Sequence, residues 1–160
     1  MTAPKASTLS IALLGDTSLG DSYLAGPDWA DAARRLDLDP WSFLDQVAPL
    51  TDGAEIKVMN LETVLAEAPQ DPFDGRKSYQ GWDRPERTLG VLERLGVTAV
   101  SLANNHALDF GPGPFLQSLD SLVARGIAVL GAGRNLDEAL KPRRHVWPGG
   151  DILIFAGFEY

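Results

Sequence analysis

The sequence predicts an α/β domain with a mainly parallel sheet flanked by helices and a C-terminal β-hairpin. Three observations carry that expectation. Short apolar, β-branched runs recur at Thr8–Leu14, Glu55–Met59, Val97–Leu102 and Ile127–Leu130, the pattern of strands buried on both faces. Stretches with helical apolar spacing lie between them, and strand-helix alternation builds a parallel sheet. Near the end, Pro148-Gly149-Gly150-Asp151 separates His145–Trp147 from Ile152–Phe155, which reads as a hairpin turn.

In chain order, the first strand runs into Gly15-Asp16, where Gly15 allows a sharp exit and Asp16 stands at the carboxyl end. Helices are expected near Pro27–Leu36 and Pro40–Leu50. The second has Asp39 placed as N-cap and Pro40 in its first turn, with Trp41, Phe43, Leu44 and Val47 as its apolar face. The second strand ends in Asn60-Leu61-Glu62. Residues 66–82, rich in Pro, Gly, Asp and aromatics, should form a long surface loop. Asp83-Arg84-Pro85-Glu86 has the form of a capping box, opening a helix whose stripe is Leu89, Val91, Leu92 and Leu95 and whose stop is Gly96. After the third strand, Gly111-Pro112-Gly113-Pro114 stops the pattern. Phe115, Leu116, Leu119, Leu122 and Val123 then mark a helix ended by Gly126. Gly131-Ala132-Gly133-Arg134-Asn135-Leu136 lacks the third glycine of a dinucleotide loop, and is expected to be a tight turn into a short helix with Asn135 as N-cap and Glu138 as its partner.

One domain covering 1–160 is expected, with residues 1–7 as a disordered N-terminus. At 160 residues, 44% hydrophobic and 22% charged, the chain resembles an ordinary globular protein. Its net charge of −8, with Lys and Arg scattered, argues against a nucleic-acid groove. There are no cysteines, so any metal must sit among oxygen and imidazole ligands. Neither a signal peptide nor a membrane-spanning run is legible, so the expected location is the cytoplasm.

The chemistry concentrates where strands end. Asn104-Asn105-His106 leaves the third strand together, with Asp109 close behind, and the carboxyl edge is where open α/β sheets keep their sites. Asp16, Asn60, Glu62, Asn105 and His106 should share that edge. Carboxylate, carboxamide and imidazole groups without thiols suit Mn²⁺, Fe or Zn²⁺, and less specifically Mg²⁺. Two such ions, held close, clamp the attacking and leaving oxygens of a phosphate ester. His106 would be free to protonate a leaving group, and Asp109 would orient its ring. Asn104, Lys77 and Tyr79 are candidate substrate contacts, with Trp82 beside them at an entrance. The competing account makes each of these polar residues a cap or turn.

Gly15-Asp16, Asn60-Leu61-Glu62, Ala103-Asn104-Asn105-His106-Ala107-Leu108-Asp109-Phe110-Gly111, and Gly131 to Ala139 with Pro142 together resemble the CapA family of poly-γ-glutamate capsule biosynthesis proteins. Its members look like calcineurin-like metallophosphoesterases, and the resemblance runs from about Ser10 to the last residue. It implies a metallophosphoesterase-like fold, with Asp16, Glu62 and Asn105 as metal ligands, Asn60 as the alternative ligand from the second strand, and His106 as the catalytic histidine. The superfamily usually opens its site with Asp-x-His, and Ser18 occupies the His position here. The family's later histidine ligands have no counterpart, since the histidines are His106 and His145. The chain is thus expected to match the first half to two-thirds of a family domain, as a truncated piece, a degenerate protein or half of a split domain.

Two functions follow from that resemblance. One is a metal-dependent hydrolase of phosphoesters or of a γ-glutamyl polymer, using one divalent ion, or two in a complete domain. The other is a non-catalytic accessory module that binds an anionic polymer, or associates with itself or with a partner that completes the sheet.

Overall fold

The computed structural model describes residues 8–159; the disorder expected of residues 1–7 lies outside them. Four strands, β1 (Ile11–Thr17), β2 (Ile56–Leu61), β5 (Ala99–Ser101) and β6 (Ala128–Leu130), form one parallel sheet in the order β1-β2-β5-β6. Between these strands in the chain lie the helices α1 (Ala30–Leu38), α2 (Pro85–Leu95) and α3 (Pro112–Ala124). A two-residue parallel pair, β3 (Val64–Leu65) with β4 (Trp82–Asp83), closes the neck of the long loop. After the short α4 (Leu136–Ala139), β7 (Arg143–Trp147) and β8 (Gly150–Ile154) form the expected antiparallel hairpin as a separate sheet. Among the described residues no helix is long and apolar enough to cross a membrane.

Strand alternation gives the sheet two faces. Met59, Leu61, Val100 and Leu102 pack with Leu89, Leu92 and Leu95 of α2 and Leu119 and Leu122 of α3. Each fully buried leucine there contributes about 1.5–3 kcal/mol of transfer free energy. Ile56, Val58, Ala99 and Leu130 line the other face, against Leu9, Ile154 and Ala156. The expected stripe of α2 is buried, and Gly96 ends that helix in the left-handed conformation at φ 75°. The α4 cap also forms: Glu138 N donates to Asn135 Oδ1 at 2.9 Å, while Glu138 Oε2 accepts from Arg134 N at 2.8 Å.

Several local expectations are corrected. Gly15 does not release the chain from β1. It is the extra residue of a bulge, because Leu14 pairs with Met59 and Asp16 with Asn60, and the bulge re-aims Asp16 beyond it. No helix spans Pro40–Leu50. Pro40–Phe43 and Ala48–Thr51 are separate 3-10 turns, since Pro49 has no N–H to donate to a helix ladder. Asp39 does not cap through its side chain; its carbonyl accepts from Ser42 Oγ at 2.7 Å. Gly111-Pro112-Gly113-Pro114 starts α3 instead of merely stopping the chain, with prolines in the first turn, where a missing N–H costs no helix bond. Leu116 and Val123 are exposed, so the buried stripe of α3 is Ser118, Leu119 and Leu122. The largest local correction concerns Asp83. Arg84 occupies the N-cap position without a side-chain cap bond, because the Asp83 carboxylate is engaged elsewhere.

Candidate functional site

The ends of β1, β2 and β5 meet at a row of polar side chains. Asn60 Nδ2 donates to Asp16 Oδ1 at 2.7 Å, and Asn60 Oδ1 accepts from Asn104 Nδ2 at 3.2 Å. The carboxylate of Asp16 can only accept here, which fixes the direction of the whole relay. Asn104 also donates to Leu61 O at 3.0 Å and accepts from His106 N at 3.0 Å. Both of its amide hydrogens are therefore engaged within the protein, and Asn104 clasps the second and third strand ends. Part of the turn-and-cap account is correct for this residue. Asn105 is exposed, and among the described residues its side chain makes no hydrogen bond; only its carbonyl is held, by Lys77 Nζ at 3.2 Å.

His106 is buried and held from three sides. Its Nδ1 lies 2.8 Å from Asp109 Oδ2, its Nε2 lies 3.9 Å from Glu62 Oε1, and the Tyr79 ring meets it edge-on at 4.8 Å. Asp109 Oδ2 also accepts from Gly81 N at 2.9 Å; because an ionised carboxylate only accepts, the donor role at that oxygen is assigned to Nδ1, which leaves Nε2 facing Glu62. Asp109 has no exposed side-chain surface; Lys77 pairs with its Oδ1, and Gln80 donates to its carbonyl at 2.8 Å. Tyr79 in turn stacks on Tyr23 at 5.5 Å. Burial, then contact with Tyr23, pushes the Tyr79 phenol up. The 66–81 loop thus forms a wall around His106, whereas Trp82 packs with Val64, Ala66 and Phe110.

Glu62 is placed by its backbone, whose N–H donates to Thr17 O at 3.0 Å. Burial raises its carboxyl from the ordinary glutamate value; the neighbouring Asp16 raises it further, and His106 opposes them. No lysine or arginine pairs with Asp16 or Glu62 among the described residues. The structure thus brings Asp16, Asn60, Glu62, Asn104, His106, Asp109, Lys77 and Tyr79 into one connected region, with Asn105 at its exposed rim. A cavity of about 620 Å³ opens on the far side of Asn104 and Asn105, lined mainly by apolar groups such as Leu102, Leu108, Phe115 and Ala132, and neither Asp16 nor Glu62 reaches it.

Three contributors were not among the candidates. Gln80 and Gly81 act through position alone, as neighbours of Tyr79 in an irregular loop. Asp83 lies beneath the exit of β1, where its carboxylate accepts from Leu19 N at 2.7 Å, Gly20 N at 2.8 Å, Asp21 N at 3.0 Å and Ser18 Oγ at 3.0 Å. Burial pushes the Asp83 carboxyl up against the pull of Leu19, Asp21 and Ser18. Ser18, at the position where a histidine was expected by resemblance, is occupied with that contact and with Gly20 N at 3.1 Å.

The chain is 24% identical to the PGA biosynthesis protein CapA of Bacillus subtilis (strain 168) over 161 residues, an alignment covering 97% of this chain and 40% of that protein. It thus spans about two-fifths of the length of the curated relative it matches. The sequence profile described as "Bacterial capsule synthesis protein PGA_cap" matches residues 10–159. The chain belongs to the bacterial capsule synthesis protein PGA_cap family.

Proposed function

We infer that the chain carries the strand-end portion of a divalent-cation site in a metal-dependent, phosphoesterase-like hydrolase of capsule synthesis. The observation supporting this most directly is the crowding of Asp16 against Glu62 without a lysine or arginine partner, beside a histidine whose Nε2 lies 3.9 Å from Glu62 Oε1. Carboxylates left together without compensation favour a cation between them. The oxygen-rich donor set fits Mn²⁺, Fe or Zn²⁺, with Mg²⁺ less specifically, but fits as part of a coordination sphere. Among the described residues there is no group of three His, Cys, Asp or Glu side chains that could hold a metal.

Asp16, Glu62 and Asn105 would hold the ion, with Asn60 orienting Asp16. A bound divalent cation supplies Lewis acidity and a nucleophilic water near neutral pH. The protein's own contribution is placement. Asp109 fixes the ring of His106, so that Nε2 faces the carboxylate edge, where it can pass a proton to a leaving oxygen. The substrate would be a phosphoester or an anionic γ-glutamyl polymer.

The incomplete ligand set favours a second reading, an accessory module that binds the polymer, itself or a partner without turnover. One experiment separates the two: the purified protein is given Mn²⁺ and a chromogenic phosphodiester. The hydrolase reading expects Mn²⁺-dependent turnover that His106→Ala abolishes and Asp16→Asn impairs through metal retention. Turnover that survives His106→Ala rejects the role of that residue. No turnover, together with association measured by sedimentation, selects the module.

A further inference from the structure

The loop of residues 66–81 carries a lysine, Lys77, that is engaged with the protein's own groups. Lys77 Nζ pairs with Asp109 Oδ1 and also donates to Asn105 O at 3.2 Å. The other oxygen of the same carboxylate takes His106 Nδ1 at 2.8 Å and Gly81 N at 2.9 Å. One buried carboxylate is thus gripped at both oxygens, by the histidine and Gly81 of the loop at Oδ2 and by Lys77 of the loop at Oδ1. We propose that Lys77 is a positioning residue: by anchoring Asp109 it sets the orientation of the His106 ring and fastens the 66–81 loop as the wall of the site. This rests on the hydrolase reading for its catalytic meaning, but the geometry stands without it.

The physical argument has three steps. The Asp109 side chain is fully buried while that of Lys77 is 32% exposed, so the lysine brings a compensating cation to a carboxylate that water does not reach. A carboxylate held at one oxygen presents the other in a fixed direction, and Nδ1–H must follow it. The loop has little apolar anchoring of its own. Its ends are joined by the two-residue β3–β4 pair, and its interior is turned by Asp71, which accepts from Phe73 N at 2.7 Å and Gly75 N at 2.6 Å. Lys77, Gln80 and Gly81, all bound to Asp109, join this wall to the histidine segment. The same contacts hold Tyr79 against the His106 ring.

The test needs neither metal nor substrate, so a failure of hydrolysis and a failure of this proposal are separate results. With only two histidines in the chain, long-range ¹⁵N–¹H spectra resolve His106, and His145→Gln assigns it. The wild type should show Nδ1 protonated and hydrogen-bonded. Lys77→Met should mix the tautomers and speed amide exchange across residues 66–81 by at least about tenfold, and Lys77→Arg should restore both. An unchanged nitrogen pattern in folded Lys77→Met overturns the proposal. Should Lys77→Met not fold, lysine acetylation of the wild type decides: Lys77 should react well below the rate of exposed Lys141, and equal rates overturn the proposal.

Discussion

Around the exit of β1 the chain gathers two pairs of acidic residues, Asp16 with Glu62 and Asp21 with Asp83, and treats them in opposite ways. Asp83 is wholly buried, and three backbone amides and a hydroxyl converge on it. Its neighbour Asp21 is paired with Arg87 at 2.7 Å and accepts from Arg84 N at 2.8 Å. Asp16 and Glu62, by contrast, face each other with only an asparagine amide and a distant imidazole for company. Satisfied carboxylates belong to the frame. Asp16 and Glu62 have no lysine or arginine partner among the described residues, and under the proposed function a ligand of opposite charge would compensate them.

Replacing Asp83 should have the largest effect. Asp83→Ala leaves Leu19 N, Gly20 N, Asp21 N and the Ser18 hydroxyl without their acceptor, and should cost about 3–5 kcal/mol in urea unfolding. Asp16→Ala, which strands no buried donor, should cause no measurable loss. Equal losses for the two variants would erase the distinction between the pairs.

A cation should act on one pair only. Mn²⁺ at about one hundred times its dissociation constant should stabilise the wild type by about 2.7 kcal/mol. Asp16→Asn and Glu62→Gln should remove most of that gain in a thermal-shift titration, while Arg87→Met should keep it. Arg87→Met should itself cost about 1–2 kcal/mol without metal, because its partner Asp21 is nearly buried whereas Asp37 is exposed. Stabilisation by Mn²⁺ that survives loss of both site carboxylates would place the ion elsewhere.

The contrast also explains what could be read from the chain alone. Strand runs, the α2 stripe, the Gly96 stop and the hairpin were legible because apolar period and glycine conformation are local signals. So was the sharing of one edge by Asp16, Asn60, Glu62 and His106, since parallel strands all end on the same side; Asn105, expected beside them, sits at the exposed rim, and Asn104 makes the contact with Asn60 instead. Asp83 was misread because an aspartate before Arg-Pro-Glu looks the same whether it caps its own helix or reaches a loop more than sixty residues earlier. Gly15 was misread for a related reason: a bulge depends on the partner strand's register, which β1 does not encode. The ion pair of Lys77 with Asp109 was hidden by an irregular loop, where no periodicity says which side chain turns inward. The tools of local pattern end where the partner is chosen by tertiary structure.

The smallest expected effect is the most specific, because it concerns the sign of a pH dependence. The Glu62 carboxyl is raised above the ordinary value of 4.5, first by burial and then by Asp16. The folded protein therefore holds that proton more tightly than the unfolded chain does. The resulting stability is fully present below the ordinary value and is lost as pH rises through the folded one. Glu62→Gln cannot lose it. The variant should match the wild type around pH 4 and exceed it around pH 7 by at most about 1 kcal/mol, the scale of a partly solvated charge contact. Saturating Mn²⁺ should reverse the order at neutral pH, because the ionised pair is then what binds. Urea unfolding at both pH values, with and without Mn²⁺, reads all four states. A Glu62→Gln protein that is less stable at neutral pH without metal would show that Glu62 is held like Asp83, as part of the frame.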